Sequence, residues 1–481
     1  MIQQLTQKFT IAFVLLFSFW ACTSKVDVIP SASVDGFSLL EAYVMADDPA
    51  FSFELVYSTS SETYDYHVVR MVSQTWLTAE EVNETEWWHY VSFVVPKNTS
   101  FETGFLWIGG GAIESPLPEE PNPIILEVAL RTNSVAAEIH NVPFQPLTFL
   151  DDDKGPRYED DIIAYGWRKF MEGGAKDEDA KWLLRLPMTK AAKLAMDVVV
   201  EVVEEKYELP LNHFVVSGAS KRGWTTWATA AVDKRVVAMA PIVIDLLNLE
   251  ESFQHHWRNY GYWAPAVTSY VNEDIMDWQG SMEFERLLSI TEPYAFKEKF
   301  ADIPKLIVNA AGDEFFQPDS WKFYWDELPG EKHLMYVPNY GHDLRNSDAL
   351  ANVLSFYASI LNQSSRPTYE WTIKDNSILL QTDPNQKPVS IKLWSATNEE
   401  ERNFMIDRFG PHWSASEVLI KESGRYEIQI PTPEKGYTGY FVEVTYPGQI
   451  PIKITSGVEV LPREYPFESY VPSKALGTPR E

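Results

Sequence analysis

Between residues 64 and 362, short apolar runs rich in β-branched and aromatic residues alternate with longer stretches of helical spacing. Residues 64–76 (YDYHVVRMVSQTW) and 87–96 read as two strands, an antiparallel pair that opens a sheet. A buried strand, GFLWI at 104–108, ends in Gly109-Gly110-Gly111, and residues 134–139 form another after a helical stretch at 122–132. Helical periodicity covers 159–170, and Thr189 reads as the cap of an amphipathic helix, KAAKLAMDVVVEVVEE. The strand–helix rhythm continues with a strand from His213, a helix at 221–232, and strands at 235–244, 304–309 and 332–338. Helices are expected at 319–327 and 347–362. This alternation predicts an α/β fold: a mostly parallel sheet with helices on both faces.

Three segments depart from the rhythm. Residues 36–60 carry few clear signals. Residues 246–300 hold Phe253, Trp257, Tyr260, Tyr262, Trp263, Tyr270 and Trp278, an aromatic insertion that reads either as a lid or as a helical packing subdomain. After the polar linker SSRPT at 364–368, alternating short runs such as VSIKLWSA and YFVEVTYP predict a small all-β, immunoglobulin-like sandwich over 366–465. The tail, 466–481, shows no element.

At 481 residues two domains are expected, here 22–365 and 366–465. The formal net charge of −29 argues against nucleic acid, which needs clustered Lys and Arg, and against direct binding to an anionic membrane surface. The single cysteine, Cys22, rules out an internal disulfide and a thiolate metal cluster. It follows Lys8, a short apolar run at 9–20 and Ala21, the layout of a signal peptide over 1–21. A small residue before a lone cysteine resembles a bacterial lipoprotein signal, with lipidation at Cys22 and a lipid anchor as the membrane attachment. Phe19 and Trp20 depart from the usual small-residue pattern there, and ordinary secretion is the alternative.

The chemistry centres on HFVVSGASKRGW at 213–224. An apolar strand runs into Gly218-Ala219-Ser220 and then a helix, which lifts a serine to the apex of a sharp turn. A serine nucleophile needs a base, and the base needs an orienting carboxylate. Asp313 follows one later strand and His342 the next, which supplies Ser, Asp and His in α/β-hydrolase order. Glu314 and Asp319 in the same loop, and Asp245 after the preceding strand, compete with Asp313, although solvation and capping suit them better. The oxyanion donors are the backbone N–H of Lys221 and one from the glycine run; sequence does not choose among the three, and Gly110 and Gly111 are carried forward as candidates. Arg222 occupies the position where the common Gly-x-Ser-x-Gly elbow has a small residue. The Gly-x-Ser-[Lys/Arg]-x-Gly form resembles that of glucuronoyl esterases. Lys221-Arg222 could place an anionic substrate, or Arg222 could be a salt-bridge residue. Trp257 and Trp263 are the candidate substrate contacts of the insertion.

The elbow GASKRGWTTW, with SQTW at 73–76, WWH at 87–89, the triple glycine, EDDIIAY at 159–165, LPMTKAAKLAMD at 186–197, GDEFF at 312–316 and GHD at 341–343, resembles the PhoPQ-activated pathogenicity-related protein family. The resemblance extends into the C-terminal module, at YTGYFVEVTYP. It implies an α/β-hydrolase-like fold, a cell-envelope or secreted location and a link to stress or antimicrobial-peptide response; it implies no substrate.

Other clusters are weaker. Adjacent His255 and His256 do not both face one site on a helix, so no metal is expected there. Trp76, Trp87, Trp88 and His89 read as packing residues. Asp151-Asp152-Asp153 and Asp177-Glu178-Asp179 read as solvated loops without a calcium-loop motif. No cofactor is implied. The functional expectation is a cell-envelope serine hydrolase acting on an ester, amide or peptide bond, with a small-molecule or peptide substrate. The alternative is an inactive hydrolase-like protein that binds or signals.

Overall fold

The computed structural model describes residues 35–480; the signal-peptide and Cys22 expectations lie outside the described residues. The chain opens with helix α1 (Gly36–Met45) and strand β1 (Ser52–Ser60), where the sequence carries few signals. Then come β2 (Tyr64–Thr75), β3 (Glu86–Pro96), β4 (Thr103–Ile108), α2 (Pro123–Thr132), β5 (Ala136–Ile139), α3 (Asp160–Glu172) and α4 (Arg185–Tyr207). The unit continues with β6 (His213–Ala219), α5 (Lys221–Val232), β7 (Val236–Ile242), α6 (Leu249–Tyr260), α7 (Thr268–Asn272), α8 (Met282–Thr291), β8 (Lys305–Ala310), β9 (Lys332–Val337) and α9 (Ala349–Leu361).

These strands form one sheet in the order β1-β2-β3-β5-β4-β6-β7-β8-β9. The β1, β2, β3 and β5 neighbours pair antiparallel; from β5 through β9 every pairing is parallel. Apolar residues on successive positions enter opposite cores, because side chains in a strand alternate faces. In β6, Phe214 and Val216 face the core shared with α4 and α5, whereas Val215 faces the one shared with α2 and α9. A sheet covered on both faces needs such near-continuous apolar strands.

Two helical expectations are corrected. Thr189 is not a cap: α4 starts at Arg185, and the Thr189 hydroxyl donates to the Arg185 carbonyl at 2.7 Å. Pro187 lies in the first turn, where its missing N–H costs nothing. Residues 319–327 form two short 3₁₀ turns, Ser320–Phe323 and Trp325–Glu327, not one helix. Tertiary partners hold them there, since Trp321 Nε1 donates to the Val458 carbonyl at 2.8 Å.

The C-terminal segment comprises β10 (Tyr369–Lys374), β11 (Ser377–Thr382), β12 (Ser390–Asn398), β13 (Ser414–Glu417), β14 (Arg425–Gln429), β15 (Tyr437–Tyr446), β16 (Ile452–Thr455) and β17 (Glu459–Leu461). A sheet ordered β10-β11-β14 faces one ordered β13-β12-β15-β16, with β17 also on β15. Ile378, Leu380 and Ile428 of the first pack against Ile391, Val442 and Ile454 of the second. The module is built into the hydrolase body. Tyr336 N–H donates to Thr455 Oγ1 at 3.0 Å, and Ile406 N–H donates to the Gly312 carbonyl at 2.8 Å. It therefore braces the loop that carries Asp313.

The tail has little regular structure, yet it is pinned across the 246–300 insertion. Asp277 accepts from the Tyr470 hydroxyl, the Ser473 N–H and the Ser473 hydroxyl. The Tyr470 ring packs on Trp257 and Trp263, with centroids 4.8 and 5.0 Å away.

Candidate functional site

Ser220 sits where β6 gives way to α5, at φ 59° and ψ −126°. A non-glycine residue there costs on the order of 1–3 kcal/mol and persists only where surrounding contacts impose it. The Ser220 N–H donates to the Ile242 carbonyl of β7 at 2.8 Å, and its carbonyl accepts from Trp224 N–H at 3.0 Å. The glycine displaced by Arg222 is supplied one position later. A Cβ at Gly223 would lie 2.9 Å from the Ile242 carbonyl oxygen, and one at Gly218 would lie 2.8 Å from that of Arg222. The helix therefore approaches the sheet at Gly223, and Arg222 is free to point sideways.

Asp313 follows β8 and His342 follows β9, and the two meet. His342 Nδ1 is 2.9 and 3.1 Å from the Asp313 carboxylate oxygens. The carboxylate is buried and also accepts from the N–H groups of Phe315 and Phe316. Since a carboxylate only accepts, Nδ1 carries the proton and Nε2 is left as an acceptor. Nε2 is buried and has no hydrogen-bond partner among the described residues, Ser220 Oγ included. Burial alone would lower the His342 pKa, but the Asp313 charge outweighs it and the value is raised. Phe315 packs on the imidazole, with centroids 4.3 Å apart.

Of the competing carboxylates, Glu314 caps a backbone N–H, whereas Asp319 and Asp245 are buried against side-chain partners and neither solvated nor capping. Glu314 accepts the His342 backbone N–H at 2.7 Å. Asp319 is buried against Arg402 Nη2, at 2.7 Å, and His255 Nε2, at 2.8 Å. Asp245 accepts from the hydroxyls of Tyr324 and Tyr336, and burial pushes it up to about 7. The acidic loops are also not merely solvated: Asp152 pairs with buried Arg157, and Asp177 with Arg286.

On the oxyanion side, the Gly109 N–H is already committed to the Ile139 carbonyl at 2.8 Å. The N–H groups of Gly110 and Gly111 have no backbone acceptor among the described residues, and both residues are exposed. A Cβ at Gly110 would come within 2.9 Å of Arg222 Nη2, and Gly111 sits at φ +142°, which favours glycine.

Arg222 does not line the cavity beside Ser220, which corrects its assignment as a substrate contact. Its Nε donates to the Val142 carbonyl, and Nη2 pairs with Glu159 at 2.5 Å. Lys221 Nζ lies 2.8 Å from Glu159 and 3.0 Å from Asp160. Burial would raise the Glu159 pKa, but Arg222 and Lys221 hold it down to about 2. The basic pair is thus neutralised inside the protein.

Ser220 and Lys221 line a cavity of about 40 Å³. Its walls are Trp167, Trp224, Phe253, Trp263, Phe315 and Phe316, with Asp160, Arg185, His256, Tyr270 and Gln317 as the main polar groups. Trp263 lines it. Trp257 does not; it packs behind Trp263, centroids 5.4 Å apart, so its substrate role is withdrawn. His256 accepts from the Ala264 N–H at 3.0 Å, and burial lowers it to about 3, so it stays neutral. Glu159, Asp160 and Arg185 escaped sequence reasoning. The first two sit in the EDDIIAY motif, but nothing local says which cations they meet.

The sheet order, the elbow after β6, the acid after β8 and the histidine after β9 define an α/β-hydrolase fold. Within it, the chain belongs to the PhoPQ-activated pathogenicity-related protein family, whose model matches residues 40–405. It is 32% identical over 467 residues to the autocrine proliferation repressor protein A of Dictyostelium discoideum, across 91% of this chain and 93% of that protein. Among solved structures, an acetyl xylan esterase from Paenibacillus sp. R4 is 15% identical, with TM-score 0.46 over 69% of this chain and 96% of its own. A glucuronoyl esterase from Solibacter usitatus is 11% identical, with TM-score 0.40 over 68% of this chain and 91% of its own.

Proposed function

We propose that this protein is a serine hydrolase that cleaves an ester, amide or peptide bond through an acyl-enzyme. The observation that carries this is His342. Its Nδ1 is held by Asp313, and its Nε2 is buried without a partner among the described residues, on the loop that follows β9. Ser220 Oγ adds to the carbonyl carbon as its proton passes to Nε2. The developing oxyanion is met by the Lys221 N–H and by Gly110 or Gly111 N–H. The intermediate collapses as His342 returns the proton to the leaving group. Water, deprotonated by the same nitrogen, then releases the acid and regenerates Ser220.

The test is labelling with a fluorophosphonate. Covalent capture that maps to Ser220, and disappears in Ser220→Ala and His342→Ala proteins that remain folded, is the expected result. A folded native chain that stays unlabelled and turns over no p-nitrophenyl ester ends the proposal. One observation favours a second reading, a binding or signalling protein without turnover: Ser220 Oγ and His342 Nε2 share no hydrogen bond. The repressor name of the Dictyostelium relative fits that reading as well.

The site of action proposed from sequence is the cell envelope, through lipid on Cys22. Labelled palmitate supplied to bacterial cells expressing the full chain is expected to enter the protein, and Cys22→Ser to lose it. Equal label in the variant would refute the lipid anchor.

A further inference from the structure

Not every cation around Ser220 has an ion-pair partner. Lys221 and Arg222 are matched by Glu159 and Asp160. A third cation, Arg185, lines the cavity and is only 2% exposed. Its Nη1 donates to the Lys221 carbonyl at 2.8 Å, and its guanidinium lies 4.5 Å from the Trp224 ring centre. Among the described residues no carboxylate stands within ion-pair distance of it, and its Nε has no acceptor. Asp160, the nearest acidic influence, is already shared between Lys221 and the Tyr270 hydroxyl.

A buried guanidinium held without a counter-ion is costly, and proteins that retain one usually satisfy it with a partner charge. We infer that the cavity beside Ser220 is a carboxylate subsite, in which Arg185 pairs with an acidic group carried by the substrate. The inference rests on the hydrolase reading only for the word substrate; the subsite would serve a binding protein equally. Its size limits the guest. About 10–15 Å³ holds one water molecule, so about 40 Å³ takes a carboxylate and a short linker, not a chain or a ring system. The aromatic walls suit a short apolar linker, and the neutral His256 adds no competing charge. The favoured compounds are half-esters of short dicarboxylic acids. Burial also pushes the arginine down to about 10, which a bound carboxylate would reverse.

Calorimetry on the Ser220→Ala protein, with monomethyl succinate and methyl butyrate as probes, tests this without turnover. The anion is expected to bind at least about tenfold tighter, the range of a charge-assisted hydrogen bond. Arg185→Met in that background should abolish the difference, and Arg185→Lys should keep part of it. If Arg185→Met does not fold, the native chain still decides. Its kcat/KM for p-nitrophenyl hemisuccinate should exceed that for p-nitrophenyl butyrate. No preference for the anion, or a preference unchanged in a folded Arg185→Met protein, overturns the subsite. Fluorophosphonate capture at Ser220 without any anion preference leaves the hydrolase and removes the subsite. Arg185-dependent succinate binding with no capture does the reverse.

Discussion

Replacing Asp313 by Asn is expected to lower kcat for ester hydrolysis by about 10⁴-fold, with the fold intact. An amide can donate to Nδ1 as well as accept from it, so it no longer enforces the tautomer that leaves Nε2 free. The pH profile separates this from a general packing defect. A base must be neutral, so kcat/KM rises with pH through the His342 pKa. In the native chain that limb lies above the ordinary 6.5, because Asp313 outweighs burial. In Asp313→Asn only burial is left as the main influence, and the limb should move to lower pH. Asp245→Asn is the control: Asp245 answers to Tyr324 and Tyr336, not to His342, and should leave the limb in place. If Asp245→Asn moves the limb and Asp313→Asn does not, the acid has been misassigned.

Glu159→Gln should carry the largest cost in stability. It strips the shared counter-ion from two cations whose side chains are 8% and 14% exposed. Breaking a fully buried pair costs about 3–5 kcal/mol. The Glu159 side chain is 35% exposed, so solvent screening reduces the expected loss to about 2 kcal/mol. The sign with pH follows from the depressed pKa, about 2 against an ordinary 4.5. The stabilisation is complete above about 4.5 and fades as pH falls towards 2, where the folded carboxylate takes up its proton. Urea unfolding of native and variant chains should therefore differ most near neutrality and converge in acid. A gap that stays constant with pH would mean that Glu159 acts through packing instead of charge.

Much of the hydrolase body could be read from one dimension. Strands such as VVAMAP, buried on both faces, are near-continuous apolar runs, and a parallel sheet admits little else. Helices α2 and α3 were visible from periodicity. A helix is expected at 319–327, but the segment forms 3₁₀ turns held by the sandwich, a tertiary influence that no local pattern carries. Thr189, expected as a cap, lies inside α4, because the helix tolerates Pro187 in its first turn and starts at Arg185. At the site, Trp257 and Trp263 are chemically alike; only the packing of the insertion decides that Trp263 reaches the cavity and Trp257 lies behind it.

The sequence by itself determined the alternation of strands and helices along the chain, the elbow with its serine at the apex, and the succession of Ser220, Asp313 and His342 after strand ends. These are local or ordinal properties, written in turn chemistry and in the sequence of elements. Tertiary structure alone decided which charges cancel. Glu159 lies 63 residues from Arg222, and their pairing depends on how α3 meets the elbow. Once that pair and Lys221 are accounted for, the basic residues beside the serine cease to be the unmatched ones. The unmatched charge belongs to Arg185, whose own neighbourhood in sequence says nothing of the cavity it lines.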